Sequence, residues 1–193
     1  MRTETKGLNG KHLLKYNCKD EYDGVFLNGQ KHGKGKYKWA NGDQYYGDWK
    51  NDYREGKGHM RWDDGCEYYG DWQNDTIEGK GQMKFDDGGE YYGDWKNNNR
   101  EGKGHMKWDD GSEYYGDWKN DIREGKGQMK WNNGCEYQGD WRQNNQTGKG
   151  QMKVADGSSY DGDWINGQKH GFGVYQAANG EKYYGQWVFD KKI

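Results

Sequence analysis

Apolar and polar residues alternate along this chain in short runs, and the runs recur. In Tyr45-x-Gly47-x-Trp49 the ring-bearing and small residues occupy every second position, with Tyr46, Asp48 and Lys50 between them or after them. A period of two is that of a β-strand, so Tyr, Gly and Trp share one face. Downstream, Gly56, Gly58, Met60 and Trp62 alternate with Lys57, His59 and Arg61, which predicts a second strand. The pair of patterns returns every 23 residues. Tyr22, Tyr45, Tyr68, Tyr91, Tyr114, Tyr137, Tyr160 and Tyr183 are followed two positions on by Gly, and four positions on by Phe26 and then by Trp49, Trp72, Trp95, Trp118, Trp141, Trp164 and Trp187. Gly-x-Gly recurs from Gly33/Gly35 to Gly171/Gly173, and a turn glycine recurs from Gly42 to Gly180, always after Asn or Asp.

Each repeat therefore supplies two strands. The sequence reads as a six-residue loop (Lys50 to Glu55) after the first strand and a three-residue turn (Asp63-Asp64-Gly65) after the second. A three-residue turn ending in Gly fits a type I turn followed by a left-handed residue. That turn sets Trp62 opposite Cys66, Met60 opposite Tyr68 and Gly58 opposite Gly70. On the other face it sets Arg61 opposite Glu67 and Lys57 opposite Asp71, both opposite-charge pairs that favour this register. The loop sets Asp48 opposite Lys57, so each such lysine lies between two aspartates, as Lys80 does between Asp71 and Asp94.

The expected fold is all-β: an elongated, twisted, single-layer antiparallel meander of about 16 strands, running on the order of 70 Å. Its parts are residues 1–21, an N-terminal cap with a degenerate half repeat (Gly10, Leu14, Tyr16); residues 22–182, seven 23-residue repeats; and residues 183–193, a partial repeat and C-terminal cap. The seam at position 39 of the pattern thins towards the end, from Trp131 to Val154 to Ala177. Atypical outer units are what an array needs at its ends.

Composition changes the picture in one respect. Only 30% of the 193 residues are hydrophobic, a fraction that by itself points to disorder. The 17% aromatic content, with 11 Trp and 17 Tyr, points the other way, because the apolar area is concentrated in a few large rings. The formal net charge of −2 from 30 basic and 32 acidic residues excludes a dominant basic face for nucleic acid. No apolar run approaches the ~20 residues of a membrane span, no signal peptide is expected, and three cysteines (Cys18, Cys66, Cys135) read as free thiols of a reducing compartment.

Candidate chemistry is sparse. His59 and His105 lie two repeats apart, roughly 19 Å at the strand spacing, and Cys66 and Cys135 three repeats apart. Neither pair shares a metal or closes a disulfide. The Asp-Asp-Gly turns lack the alternating ligands and bidentate Glu of a calcium loop. Gly-x-Gly is followed by strand pattern rather than a helix, so it is no phosphate cradle. The expectation is no enzyme, no cofactor and no metal.

Tyr-x-Gly-x-Trp, then Gly-x-Gly, then Asn/Asp-Gly, at period 23, resembles the MORN (membrane occupation and recognition nexus) repeat over about residues 10–187. Residues 22–44 and 160–182 look most like the family pattern. The middle repeats carry Asn-Asp or Asn-Asn in place of Asn-Gly, and Glu55, Glu78, Glu101 and Glu124 where the outer ones have His32 and His170. The resemblance implies a β-hairpin fold. Its relatives include junctophilins, plant phosphatidylinositol-phosphate kinases, some SET-domain methyltransferases, ciliary radial-spoke heads and parasite basal-complex scaffolds, where chemistry resides in separate domains. The expected function is a protein-binding or assembly scaffold, cytoplasmic, with a cytoskeletal or ciliary association. The alternative is a peripheral module for anionic phospholipid or phosphoinositide; carbohydrate binding is a third reading and requires secretion. One layer cannot hide both faces, and an exposed aromatic strip marks an interaction surface. The candidate contacts are Tyr68, Trp72, Tyr91, Trp95, Trp108, Tyr114 and Trp118, taking a peptide-like partner segment in a curved face. Self-association is a further expectation. The other face has its own row, Tyr46, Tyr69, Tyr92 and Tyr115, interleaved with His59, Gln82, His105 and Gln128.

Overall fold

The computed structural model describes residues 5–193, in two compact units, Met1–Asn99 and Arg100–Ile193. Among the described residues every regular element is a β-strand. The first unit holds β1 (Gly10–Lys15), β2 (Glu21–Leu27), β3 (Gln30–Lys38), β4 (Gln44–Lys50), β5 (Tyr53–Arg61), β6 (Glu67–Gln73), β7 (Thr76–Lys84) and β8 (Glu90–Lys96). Each strand pairs antiparallel with the next. The second unit holds β9 (Asn99–Lys107, whose first residue falls in the first unit), β10 (Glu113–Lys119), β11 (Ile122–Lys130), β12 (Glu136–Arg142), β13 (Asn145–Lys153), β14 (Ser159–Ile165), β15 (Gln168–Gln176), β16 (Lys182–Val188) and β17 (Lys191–Lys192). It too is a meander in chain order.

The three-residue turn gives the expected register. Met60 faces Tyr68, Gly58 faces Gly70, Arg61 faces Glu67 and Lys57 faces Asp71. Lys80 faces Asp94 and Lys84 faces Glu90. The turn closes with the Trp62 amide donating to the Cys66 carbonyl at 2.9 Å and the Gly65 amide to the Trp62 carbonyl at 3.1 Å.

The six-residue loop is not there. β4 runs to Lys50 and β5 starts at Tyr53, so the connection is a two-residue turn. Asn51 and Asp52 both have positive φ, 51° and 71°, the signature of a type I′ turn. Asp at a left-handed position is uphill compared with Gly, and its side chain supplies the compensation. The Asp52 carboxylate accepts the Lys31 amide at 2.8 Å, Asp75 the Arg54 amide at 2.8 Å and Asn98 the Ile77 amide at 2.8 Å. Asp121 and Asn144 do the same in the second unit. The middle-repeat glutamates act in the same seam: Glu55 accepts the Asn74 amide at 3.1 Å and Glu78 the Asn97 amide at 2.8 Å. The unusual residues of the middle repeats are thus clasps between successive turns.

Shortening the turn moves a bulge into the longer strand. Asp48 faces Glu55, Gly47 faces Gly58, and the register shifts between them. Lys57 is therefore not directly opposite Asp48. Its Nζ pairs with Asp71 at 2.7 Å, while its amide donates to the Asp48 carboxylate at 3.2 Å. Lys80 repeats this, with Nζ to Asp94 at 2.6 Å and its amide to Asp71 at 3.0 Å. Each lysine does lie between two aspartates, but it reaches one through its backbone.

Candidate functional site

The aromatic face is built by the tyrosine of each Tyr-x-Gly. The Tyr45 ring lies flat over Gly47 and Gly58, where any Cβ would collide with it, and the two glycines themselves approach so closely that a Cβ on Gly47 would sit 2.6 Å from Gly58 Cα. The Tyr45 hydroxyl donates to the Asp48 carbonyl at 3.1 Å. This contact explains why the pattern needs Tyr-x-Gly on one strand and Gly-x-Gly on the next. The bent-over ring turns its edge and face to two indoles: Trp49 at 5.1 Å and 87°, and Trp72 of the next repeat at 5.4 Å and 83°. Tyr68 repeats the arrangement with Trp72 and Trp95, at 5.4 and 5.6 Å. In the second unit Tyr114, Tyr137 and Tyr160 each stand edge-to-face between two tryptophans. Such pairs contribute about 0.5–1.5 kcal/mol each beyond burial. Several indoles are also pinned to the neighbouring strand, Trp49 Nε1 to the Gly35 carbonyl at 3.1 Å and Trp95 Nε1 to Gly81 at 3.2 Å.

Over this ladder lies a layer that sequence reasoning missed. Lys31, Arg54, Arg100, Arg123, Lys169 and Lys192 share one phase of the repeat. The Arg54 guanidinium sits 4.2 Å from the Trp72 ring centroid, Arg100 4.4 Å from Trp118 and Arg123 4.6 Å from Trp141. Lys31 Nζ lies 4.8 Å from Trp49. Arg54 is held there by Asp75, through Nε to the carboxylate at 2.9 Å and Nη2 to the carbonyl at 3.0 Å. Arg123 has Asn144 in that place, its Nη2 donating to the Asn144 carbonyl at 3.1 Å. Burial, with Arg100 adding to it, pulls Arg123 below the ordinary guanidinium value despite the opposing pull of Tyr114. The column of cations at the 23-residue period is the signal for it, but cations two strands apart read along the chain as solvated surface.

This layer decides where the candidate contacts stand; over Trp72 and Trp118 it is an arginine, and in the repeat of Trp95 the same phase is Ile77, 5% exposed. In the first unit Tyr68, Trp72, Tyr91 and Trp95 are buried, none more than 6% exposed. In the second unit Tyr114 and Trp118 are buried likewise, while Trp108 is half-buried. The rings are the floor of this face, with Met60, Met106 and Met129 buried among them, and what a ligand meets first is Arg54 and Trp62 in the first unit and Arg100, Arg123 and Trp108 in the second. Burial also raises the phenols: Tyr45, Tyr68, Tyr114 and Tyr137 rise well above the usual range, and Tyr160 is pushed up to about 12.

On the opposite face Tyr46, Tyr69, Tyr92 and Tyr115 are exposed. His105 stacks on Tyr115 with centroids 3.7 Å apart, and His59 Nε2 lies 3.2 Å from Glu67. The lysines of this face are neutralised in series, Lys34 with Asp48 at 2.8 Å, Lys57 with Asp71, Lys80 with Asp94 and Lys149 with Asp163 at 2.6 Å. Cys18, Cys66 and Cys135 are free thiols. Among the described residues no group of three or more His, Cys, Asp or Glu is placed to hold a metal ion, and no helix is long and apolar enough to cross a membrane.

Comparison with known proteins gives a family match. The profile of the MORN repeat matches seven consecutive segments, residues 22–44, 45–67, 68–90, 91–113, 114–136, 137–159 and 160–182. A search of curated protein sequences returns no match. Among solved structures the chain is similar to the SAS-4 (dCPAP) TCP domain of Drosophila melanogaster in complex with a proline-rich motif of Ana2 (dSTIL), at 12% identity over 90% of this chain and 88% of that one, with a TM-score of 0.49. It is also similar to the G-box domain of the microcephaly protein CPAP, at 13% identity over 93% and 100%, with a TM-score of 0.48.

Proposed function

Given a chain that belongs to the MORN-repeat family, with seven repeats filling residues 22–182, we propose that it is a non-catalytic protein-binding scaffold that holds a peptide-like segment of a partner on its aromatic face. The observation that carries this reading is the use made of the repeated polar groups. Asp48, Asp71, Asp75, Glu55 and Glu78 are each committed to an amide or a cation of a neighbouring strand, which suits a framework better than a reaction centre. The proposed contact face contains Tyr68, Trp72, Tyr91 and Trp95 in one unit and Trp108, Tyr114 and Trp118 in the other. Trp108 is the member with exposed surface, and Arg123 stands over its ring at 6.0 Å. A preorganised aromatic surface loses little freedom on binding, which favours affinity. The same reading puts the protein in the cytoplasm, in a cytoskeletal or ciliary assembly, in keeping with its free thiols.

The lipid alternative asks for unpaired basic residues. The Lys57 row meets aspartate at every step noted above, which weakens that reading. The experiment is site-specific photo-crosslinking in extracts of the source cells, with benzoylphenylalanine at position 108, or at 69 on the other face. The reading expects one partner protein captured from position 108 and not from 69. Capture from 69 alone, or flotation of the purified protein with phosphoinositide vesicles and no protein capture, would overturn it.

A further inference from the structure

The repeat that ends at residue 159 lacks a side chain that most others have. The column Trp39, Trp62, Phe85, Trp108 and Trp131 continues as Val154. Where the indole would lie, the second unit has an open cleft of about 210 Å³, lined by Met152, Val154, Tyr160, Trp164, Lys169 and Tyr175 among others. Two consequences of the missing ring are visible. Val154 is 37% exposed, and Met152 is half-buried, as is Met83 in the repeat with the smaller Phe85, whereas Met60, Met106 and Met129, whose repeats carry a tryptophan there, are at most 5% exposed.

The same chain shows this slot filled. Trp108 lies with Arg123 above it, the guanidinium 6.0 Å from the ring centroid, and Arg123 follows Trp108 by the same interval at which Lys169 follows Val154. Lys169 also lines the cleft, with Nζ 5.3 Å from the Trp187 centroid, 5.5 Å from Tyr175 and 5.7 Å from Tyr160. Slot, floor and cation are retained, and the ring is missing. The 11 tryptophans of the chain are all used in the ladder or in this column, so none is spare to fill it.

We propose that the Val154 cleft is a binding slot for a single tryptophan side chain of a partner segment, which takes the place that Trp108 and Trp131 take in their own repeats. A flat ring suits the cleft better than an aliphatic chain. Its faces meet the Tyr160 and Trp164 rings, and its π cloud meets Lys169; both attractions are specific to aromatics. An aromatic anchor seated in a preformed pocket is also the kind of contact that dominates a protein interface. The slot stands whether or not the central aromatic face takes a partner, because its lining lies within residues 152–190 and includes none of the residues from Tyr68 to Trp118.

The test uses the whole chain with ¹³C-labelled methionine and valine methyls, titrated with N-acetyltryptophanamide. Saturable shifts are expected at Met152 and Val154, with Met60 and Met83 unmoved. N-acetylleucinamide should bind roughly 10-fold more weakly. V154W should fill the slot and abolish the shifts at Met152, and K169M should weaken binding about 3-fold or more. Absence of shifts in the wild-type chain, equal affinity for the leucine probe, or unchanged binding in a folded V154W would overturn the proposal. So would shifts at the same methyls that depend on protein concentration without probe, which would assign the slot to a second copy of the chain.

Discussion

Replacing Gly58 by alanine puts a methyl group where the Tyr45 ring now lies. The added Cβ would collide with the Tyr45 hydroxyl and ring edge. Two responses are open to the protein. If the ring stays, the overpacking costs about 1–3 kcal/mol. If it lifts, the hydroxyl loses its bond to Asp48, worth ~1 kcal/mol, and the pairs with Trp49 and Trp72 loosen at up to ~1 kcal/mol each. Both routes give a loss of roughly 1–3 kcal/mol. Gly65→Ala is the control: nothing lies within 4 Å of its Cβ, but its φ of 97° makes alanine strained, at about 1–2 kcal/mol. The decisive measurement is a double-mutant cycle by urea unfolding, followed by tryptophan fluorescence. Tyr45→Ala alone costs ~3–5 kcal/mol. With the ring gone, Gly58→Ala should add less than ~0.5 kcal/mol, whereas Gly65→Ala should add its full penalty. Additive losses for Gly58→Ala and Tyr45→Ala would show that the glycine is there for another reason.

Three further outcomes are expected. Asp75→Gly relieves a left-handed backbone (φ 64°) yet removes the clasp on Arg54, so it should destabilise by about 1–2 kcal/mol; a stabilised variant would mean that the turn alone selects this residue. The buried phenols make the protein sensitive to alkali. They hold their protons more tightly folded than unfolded, so their contribution is complete below about pH 10 and disappears as the pH rises through about 12, the value reached at Tyr160. Tm should fall over that interval, with a distinct step of phenolate absorbance at 295 nm from the buried rings accompanying unfolding; ionisation of all 17 tyrosines in a chain that stays folded would contradict the burial argument. Deleting residues 114–136, one whole period, should leave a cooperatively folding protein because each repeat touches only its neighbours; loss of the near-ultraviolet aromatic circular dichroism would count against that.

The sequence alone determined the strands, their faces and one of the two registers. Period-two spacing places Tyr45, Gly47 and Trp49 together, and a three-residue turn ending in glycine leaves one pairing for Met60 and Tyr68; both are local rules, readable along the chain. The tertiary structure decided the rest. Asn51-Asp52 reads as part of a long loop because it lacks the glycine that usually takes the second left-handed position of a two-residue turn; it becomes such a turn when Asp52 accepts an amide 21 residues upstream. Arg54 and Arg123 read as surface charge, and only the neighbouring repeat brings Trp72 and Trp141 beneath them. That covering buries the rings that the alternation alone marks as exposed contacts. A cation flattened on an indole, a carboxylate clasping the next turn and a cleft beside Val154 all depend on residues from adjacent repeats, and a single repeat read along the chain contains only half of each.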